Sequence, residues 1–428
     1  MNQTSFLLQN RPNSISKFFT WFWIIYIPTC ILFYRRLPDY IDEFMSLTLI
    51  LLALANWKIK RNNTRIKNEY KAYIGIMVAY VFYSFLVKIN TTEAIFYDLQ
   101  QQLRPYLIFY STYILAPRLN KKQYNKIITV ALISNILFVL LTLAGIRVGS
   151  FGLTTPVIAQ GSLLCGLLYY LNNDIHNKQK ARIALLILSL GLVCGKSKFI
   201  GEYVVFIAVI FFLHQKLQFN SLKTNLLITL LGVIVLFFTW TKFDAYYVSG
   251  FQAENISDLD ARPAYYRTAV EIIFKDYIPF GSGLASFATA TCAKYYSPLY
   301  YHYGLNSIWG LSPQHPMFIA DAFYPTLAQY GLVGVILFII FWIRRYKEIY
   351  AISELKYYKV GFLCMFALFL ESVADTSYLS GKGMGYFMLM AMCIREEFYF
   401  RESMKQQRLM EAIQSELIEE QTKKTVVS

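Results

Sequence analysis

The residues able to do chemistry are few and gather in one stretch. Between 241 and 317 the chain leaves its apolar runs and carries Asp260-Ala-Arg262-Pro-Ala-Tyr265-Tyr266-Arg267, then Pro279-Phe-Gly281-Ser-Gly283. The stretch closes on Gln314-His315, and Asp321 lies just past its end. Arg262-Pro263 reads as a helix start. Proline is at home in the first helical turn, and Asp258 and Asp260 supply anionic character upstream. An arginine there, beside free backbone amides, suits a phosphate or diphosphate. The competing reading of Arg262 is a structural Arg–Asp salt bridge. Arg267 falls about 140° further around the same helix, so the two arginines need not meet one ligand. Two of the four histidines, His302 and His315, belong to this stretch, and His315 lies close to Asp321. An imidazole or a carboxylate can position or deprotonate a hydroxyl.

The stretch has five cations and six anions, so any anion site in it is local. Ten of its sixteen aromatic residues are tyrosine. Tyrosine offers a flat apolar face to a sugar ring and a hydroxyl to its edge, and it also populates membrane-interface belts. Gly281-Ser-Gly283 is a tight turn and completes no phosphate-binding fingerprint. There is no G-x-S-x-G elbow, no H-E-x-x-H and no C-x-x-C spacing, so neither a serine hydrolase nor a metal site is indicated. The six cysteines read as small buried residues.

The elements that must position these residues are apolar. The 428-residue chain is 56% hydrophobic and only 16% charged, and its apolar residues come in blocks. We read twelve spans, at 18–34, 41–57, 72–87, 103–117, 127–146, 155–171, 183–195, 199–213, 226–240, 318–342, 360–374 and 383–394. The first is followed by Arg35-Arg36 and reads as a retained span rather than a cleaved signal. With the N-terminus in the cytoplasm, 28 of the 41 lysines and arginines fall in cytoplasmic segments. The net charge of +15 is therefore a topology signal and does not call for nucleic acid. The division is an N-terminal bundle over 1–240, an outer loop over 241–317, C-terminal spans over 318–394 and a cytoplasmic helical tail over 395–428. Lys196 and Lys198 stand on the outer side against this trend. Charge beside a span is costly and usually has a partner; interfacial snorkelling is the alternative. Asp375-Thr-Ser-Tyr378 and Lys382, between the last two spans, are also outer.

Together these features resemble the O-antigen polymerase and O-antigen ligase superfamily of bacterial membrane glycosyltransferases. The resemblance covers roughly 145–340. It rests on Arg262 with Tyr266, on Pro279-Phe-Gly281-Ser-Gly283, on Asp321-Ala-Phe-Tyr324 and on Tyr330-Gly331-Leu-Val-Gly334. Phe151-Gly152 and Ser197-Lys198 resemble two upstream motifs. The chain departs from the family at Lys198, where arginine is usual, and at Tyr266, where tryptophan is. The family's histidine position falls at Ala320-Asp321, which leaves both Asp321 and His315 as its counterpart.

The resemblance implies an all-α, GT-C-like polytopic fold in the bacterial inner membrane, with both termini cytoplasmic and the site on the periplasmic or extracellular face. It implies transfer of a glycan from undecaprenyl diphosphate to an acceptor hydroxyl, inverting, with no metal and no cofactor. The acceptor is another lipid-linked repeat unit in a polymerase of O-antigen or capsule, and lipid A core or protein in a ligase. A lipid-linked glycan flippase is the rival of another class. Arg262, Arg267, Lys198 and Lys196 would hold the diphosphate. Asp321 or His315 would act on the acceptor, and Tyr265, Tyr266, Tyr324 and His302 would contact sugar. Gly281 and Gly283 would shape the loop. Partners would be the lipid-linked glycan, the bilayer and a chain-length regulator protein.

Overall fold

The computed structural model describes residues 14–32, 41–57, 64–145, 156–173, 177–218, 221–244, 248, 252 and 255–427. The expected Phe151-Gly152 turn, Arg35-Arg36 and His176 lie outside them. Every regular element among the described residues is helical. The N-terminal bundle contains α1 (Ser14–Tyr26), α2 (Ile41–Ala55), α3 (Thr64–Val87), α4 (Thr92–Leu115) and α5 (Lys121–Leu143). It continues with α6 (Pro156–Asn172), α7 (Lys178–Ser189), α8 (Ser197–Ile207) and α9 (Leu222–Phe243). The loop region holds α10 (Ala261–Glu271) and two short helices, α11 (Ala290–Lys294) and α12 (Leu299–His302). Then come α13 (Gly331–Tyr350), α14 (Leu355–Ala374) and α15 (Gly381–Val427).

Local chemistry sets several of these ends. Thr91 caps α4, its side chain accepting from the Ala94 amide, and Ala116 closes the helix in the left-handed region. Asn120 and Gln123 form a reciprocal capping box at the start of α5. Asn177 accepts from two amides at the start of α7.

Among the described residues each of the twelve apolar runs is at least partly helical, and three of the described helices, α3, α5 and α14, are long and apolar enough to cross a membrane. The apolar part of α6, Val157–Asn172, is shorter. Phe82 and Leu86 on α3 and Ile133 and Leu140 on α5 are exposed, faces that suit hydrocarbon and would be costly in water. These are the features of a helical membrane protein. Within a bilayer, close packing rather than the hydrophobic effect holds helices together. In α6, Leu163, Leu164, Leu167 and Leu168 are fully buried, and Gly166 lets Leu188 of α7 lie where a β-carbon would stand.

Two boundaries differ from the sequence expectation. The tenth span, expected over 318–342, begins only at Gly331; residues 324–329 form a 3-10 turn and Asp321 lies ahead of it. Gly331 has a φ of 58° and sits against the Gly281 backbone, which delays the helix. The last span and the tail are one continuous helix, α15.

Candidate functional site

The outer loop is a packed unit with its own apolar core. Tyr265, Ile272, Phe287, Cys292, Tyr300 and Ile319 are buried in it, and it extends past the expected limit to Ala328. Arg262 lies in the first turn of α10, as the Arg-Pro pair predicts, with Asp260 at the N-cap position. The two glycine motifs turn out to be one feature. A β-carbon on Gly281 would stand 2.2 Å from the Gly331 amide nitrogen, and one on Gly331 would stand 2.2 Å from the Gly281 nitrogen. Only glycine allows the two backbones to cross this closely, and both residues have positive φ. Three backbone hydrogen bonds lock the crossing: Ser282 to Ala328 (3.1 Å), Gly283 to Gln329 (2.9 Å) and Val333 to Pro279 (3.1 Å).

The turn is also fastened to the membrane bundle. The Leu284 amide donates to the Ser84 hydroxyl (2.8 Å) and the Ala285 amide to the fully buried Asp98 carboxylate (2.9 Å). Tyr83 donates to the Gly281 carbonyl at 2.7 Å. Gly281 and Gly283 therefore fix the segment that follows Asp321.

The crossing brings the two strongest candidates together. Arg262 meets Asp321 through Nε at 2.6 Å and Nη2 at 2.5 Å, both on one carboxylate oxygen, across 59 positions of sequence. The side chains stay 20% and 26% exposed, so a ligand can reach the pair. Burial raises the Asp321 carboxyl from its ordinary range, and the Arg262 charge offsets this only in part.

Beside this pair lies a second set of charges at the end of α14. Lys198, in the first turn of α8, bonds Glu371 at 2.6 Å and lies 3.6 Å from Asp375. Lys382 bonds Asp375 at 2.9 Å. Ser377 donates to both carboxylates and accepts from the Gln160 amide at 2.7 Å. Burial would raise Asp375, but Lys382, Lys198 and these hydrogen bonds outweigh it and hold the carboxyl well below the usual range. Glu202 is fully buried beside Glu371 and Lys198. Three hydrogen bonds to backbone carbonyls tie the sets together. Thr376 donates to the Ala320 carbonyl (3.1 Å), the Phe323 amide to Ser372 (2.9 Å) and Tyr266 to Val373 (2.9 Å).

The other candidates divide. Lys198 has the partner that a span-adjacent charge calls for; Lys196 is exposed ahead of α8. Arg267 is half-buried further along α10 and is not part of the Arg262–Asp321 pair. His315 and His302 are exposed, and His302 stacks edge-on against Tyr303. Tyr265 is a core residue, its hydroxyl bonded to Tyr300 and to the Ile319 carbonyl, which leaves it no face for a sugar. Tyr266 and Tyr324 are half-buried, and each hydroxyl donates to a carbonyl of α14. Among the described residues no group of three or more His, Cys, Asp or Glu is arranged to hold a metal ion.

Sequence reasoning passed over Glu202, Glu371, Gln160 and Asp98. The first two had a signal, since a carboxylate within an apolar run is expensive and marks a partner. No family model matches the chain, and no curated protein or solved structure matches it.

Proposed function

We propose that this chain is a polysaccharide polymerase of the bacterial inner membrane. It would cross the bilayer twelve times, place the Arg262–Asp321 pair on the outer face, and extend an undecaprenyl diphosphate-linked glycan. The observation that carries the reading is the pair itself: a reachable arginine and carboxylate, held by a locked backbone crossing beside Lys198 and Lys382.

In the proposed reaction the donor diphosphate displaces Asp321 from Arg262. The acceptor hydroxyl of a second lipid-linked repeat unit attacks the donor's reducing-end carbon from the face opposite the diphosphate. A carbon–oxygen bond forms to the acceptor, the bond to the diphosphate oxygen breaks, and the configuration inverts. Asp321 takes the hydroxyl proton. Its raised carboxyl is the better base for that step, since a general base works best near the operating pH. Arg262, with Lys198 nearby, takes up charge that develops on the leaving diphosphate.

The test is glycan synthesis from a synthetic lipid diphosphate-linked repeat unit by the purified full-length protein. Wild type should lengthen the glycan and release lipid diphosphate, with or without EDTA. Arg262→Ala should lower turnover by about 10²–10³-fold, the cost of removing one preorganised charge donor. A wild-type protein that yields no longer glycan refutes the polymerase. Normal turnover in Arg262→Ala refutes the site.

A further inference from the structure

We infer that the cleft between α3 and α13 binds one anionic phospholipid of the cytoplasmic leaflet, with its headgroup on Arg65 and Arg344 and an acyl chain between the helices. The inference rests on the proposed orientation, with 58–71 and 344–359 cytoplasmic, and is independent of the transferase reading.

The cleft is a gap in the bundle. Helix α3 packs on α4, and α13 packs on α14 and α15. Between α3 and α13 lies a cavity of about 690 Å³, floored by Gln102, Tyr106 and Tyr110 of α4. This is a ligand-sized volume. One face of α3 lines it, from Arg65 and Glu69 through Ala72, Tyr73, Ile76 and Met77 to Tyr80. From Arg65 to Tyr80 the helix rises about 22 Å. One leaflet's share of the hydrocarbon core is about 15 Å, so the cleft is long enough for an acyl chain entering from the cytoplasmic end.

The mouth supplies the charge. The Arg65 and Arg344 side chains are 53% and 50% exposed, while Arg345 behind them is fully buried. Glu69 pairs with all three arginines and Glu348 with Arg65 and Arg345, so three guanidinium groups share two carboxylates and one positive charge is in excess. The connections beside these two helices, 58–71 and 344–359, carry six and five lysines and arginines. Basic clusters just cytoplasmic of membrane helices, and basic pockets between such helices, select anionic headgroups over zwitterionic ones. At its upper end the cleft touches Phe323 and Leu327, in the segment that follows Asp321. A lipid seated there would brace that segment from below.

The test uses the full-length protein in nanodiscs of phosphatidylcholine, with or without phosphatidylglycerol of the same chains. Phosphatidylglycerol should raise Tm by an amount on the order of 5 °C, and native mass spectrometry should retain one phosphatidylglycerol per chain. The double variant Arg65→Gln/Arg344→Gln should lose at least half of that rise. Ala72→Trp, which fills the cleft and alters no charge, should lose the retained lipid. Equal melting in the two lipids overturns the inference, as does full lipid retention by both variants. Release of the bound phosphatidylglycerol by a polyprenyl diphosphate would also overturn it, because the cleft would then belong to the donor's tail. Labelling of Lys71→Cys by an impermeant maleimide in intact cells would overturn the leaflet assignment, while the nanodisc result would still report on the site.

Discussion

Two charge centres lie at opposite ends of the bundle, and they are built differently. At the outer end, Arg262 and Asp321 are partly exposed, and Lys198, Glu371, Asp375 and Lys382, from three further stretches of chain, form an adjoining set of ion pairs. At the other end Arg345 is fully buried, bonded to Glu69 at 2.6 Å and lying 3.2 Å from Glu348. The rings of Phe109 and Phe341 lie 4.8 and 5.3 Å from its guanidinium. A buried charge wrapped in rings and carboxylates has no room for a substrate. Its removal leaves Glu69 and Glu348 only the more exposed Arg65 and Arg344 as counter-charges. A partly exposed pair can open, and its arginine can change partners. The first arrangement holds helices together, and the second can take part in a reaction.

Arg345→Ala breaks this comparison most severely. Breaking a buried ion pair by removing one partner costs about 3–5 kcal/mol. The variant should show a large drop in Tm in detergent. Arg262→Ala, at a pair that solvent already reaches, should melt close to wild type while losing turnover. If the two variants melt alike, the distinction between the two centres fails.

Gly331→Ala is the next largest. The new methyl would meet Gly281 backbone at 2.2 Å, and the residue would be held at a φ of 58°. Overpacking of this kind costs about 1–3 kcal/mol. The damage should fall on the outer centre alone. Hydrogen exchange should speed up over 279–283 and 326–333, while the amides around Arg345 keep wild-type rates. Uniform loss of protection would mean that the crossing holds up the whole bundle and not one site.

How legible each centre was in the sequence follows from how it is built. The inner one is written locally only in part: Arg65 with Glu69, and Arg345 with Glu348, are one helical turn apart, a spacing that puts both partners on one face, whereas the Arg345–Glu69 bond joins helices 276 positions apart. The helices themselves were visible as apolar runs, and the start of α10 could be read from Arg262-Pro263. The outer centre depends on chain crossings that no local pattern encodes. Arg262 meets Asp321 59 positions away, in segments that the Gly281–Gly331 crossing helps to hold. Two short glycine motifs 50 positions apart looked like separate turns. Tyr265 shows the opposite failure. Its hydroxyl and flat ring suggest a sugar contact, and nothing local shows that Tyr300 and the Ile319 carbonyl already occupy it.

Acidification should separate the carboxylates of the outer centre. Burial places the titration of Asp321 above the ordinary aspartate value of about 3.9, whereas Asp375 is held below it. The signs differ accordingly. Asp375 contributes stability that is present above its unfolded value and is lost only as pH falls through its depressed folded value. The folded state disfavours ionised Asp321, so protonation relieves that cost as pH falls. Asp321 therefore loses its charge first, while the Asp375 pairs with Lys382 and Lys198 persist. In the proposed reaction, turnover should fall on the acid side with a midpoint above the ordinary aspartate value, with no matching loss of Tm. Asp321→Asn should be nearly inactive and should show no such acid limb. An unchanged acid limb in that variant's residual activity would assign the titration to another group.

Tyr266→Phe has the smallest expected effect and tests the finest point of the comparison. Its hydroxyl donates to the Val373 carbonyl at 2.9 Å, tying α10, which carries Arg262, to the end of α14, which carries Glu371 and Asp375. A hydrogen bond of this kind contributes about 0.5–1.5 kcal/mol. As a tether, its loss should loosen α10 on α14, lowering kcat by about 2–10-fold through misplacement of Arg262 and leaving the apparent affinity for acceptor glycan nearly unchanged. As the sugar contact that its residue type suggests, its loss should raise KM for the acceptor with kcat preserved, because binding common to ground and transition states acts on KM alone. The first pattern makes Tyr266 part of the frame that joins the two halves of the outer centre. The second would require the hydroxyl to leave Val373 when glycan binds.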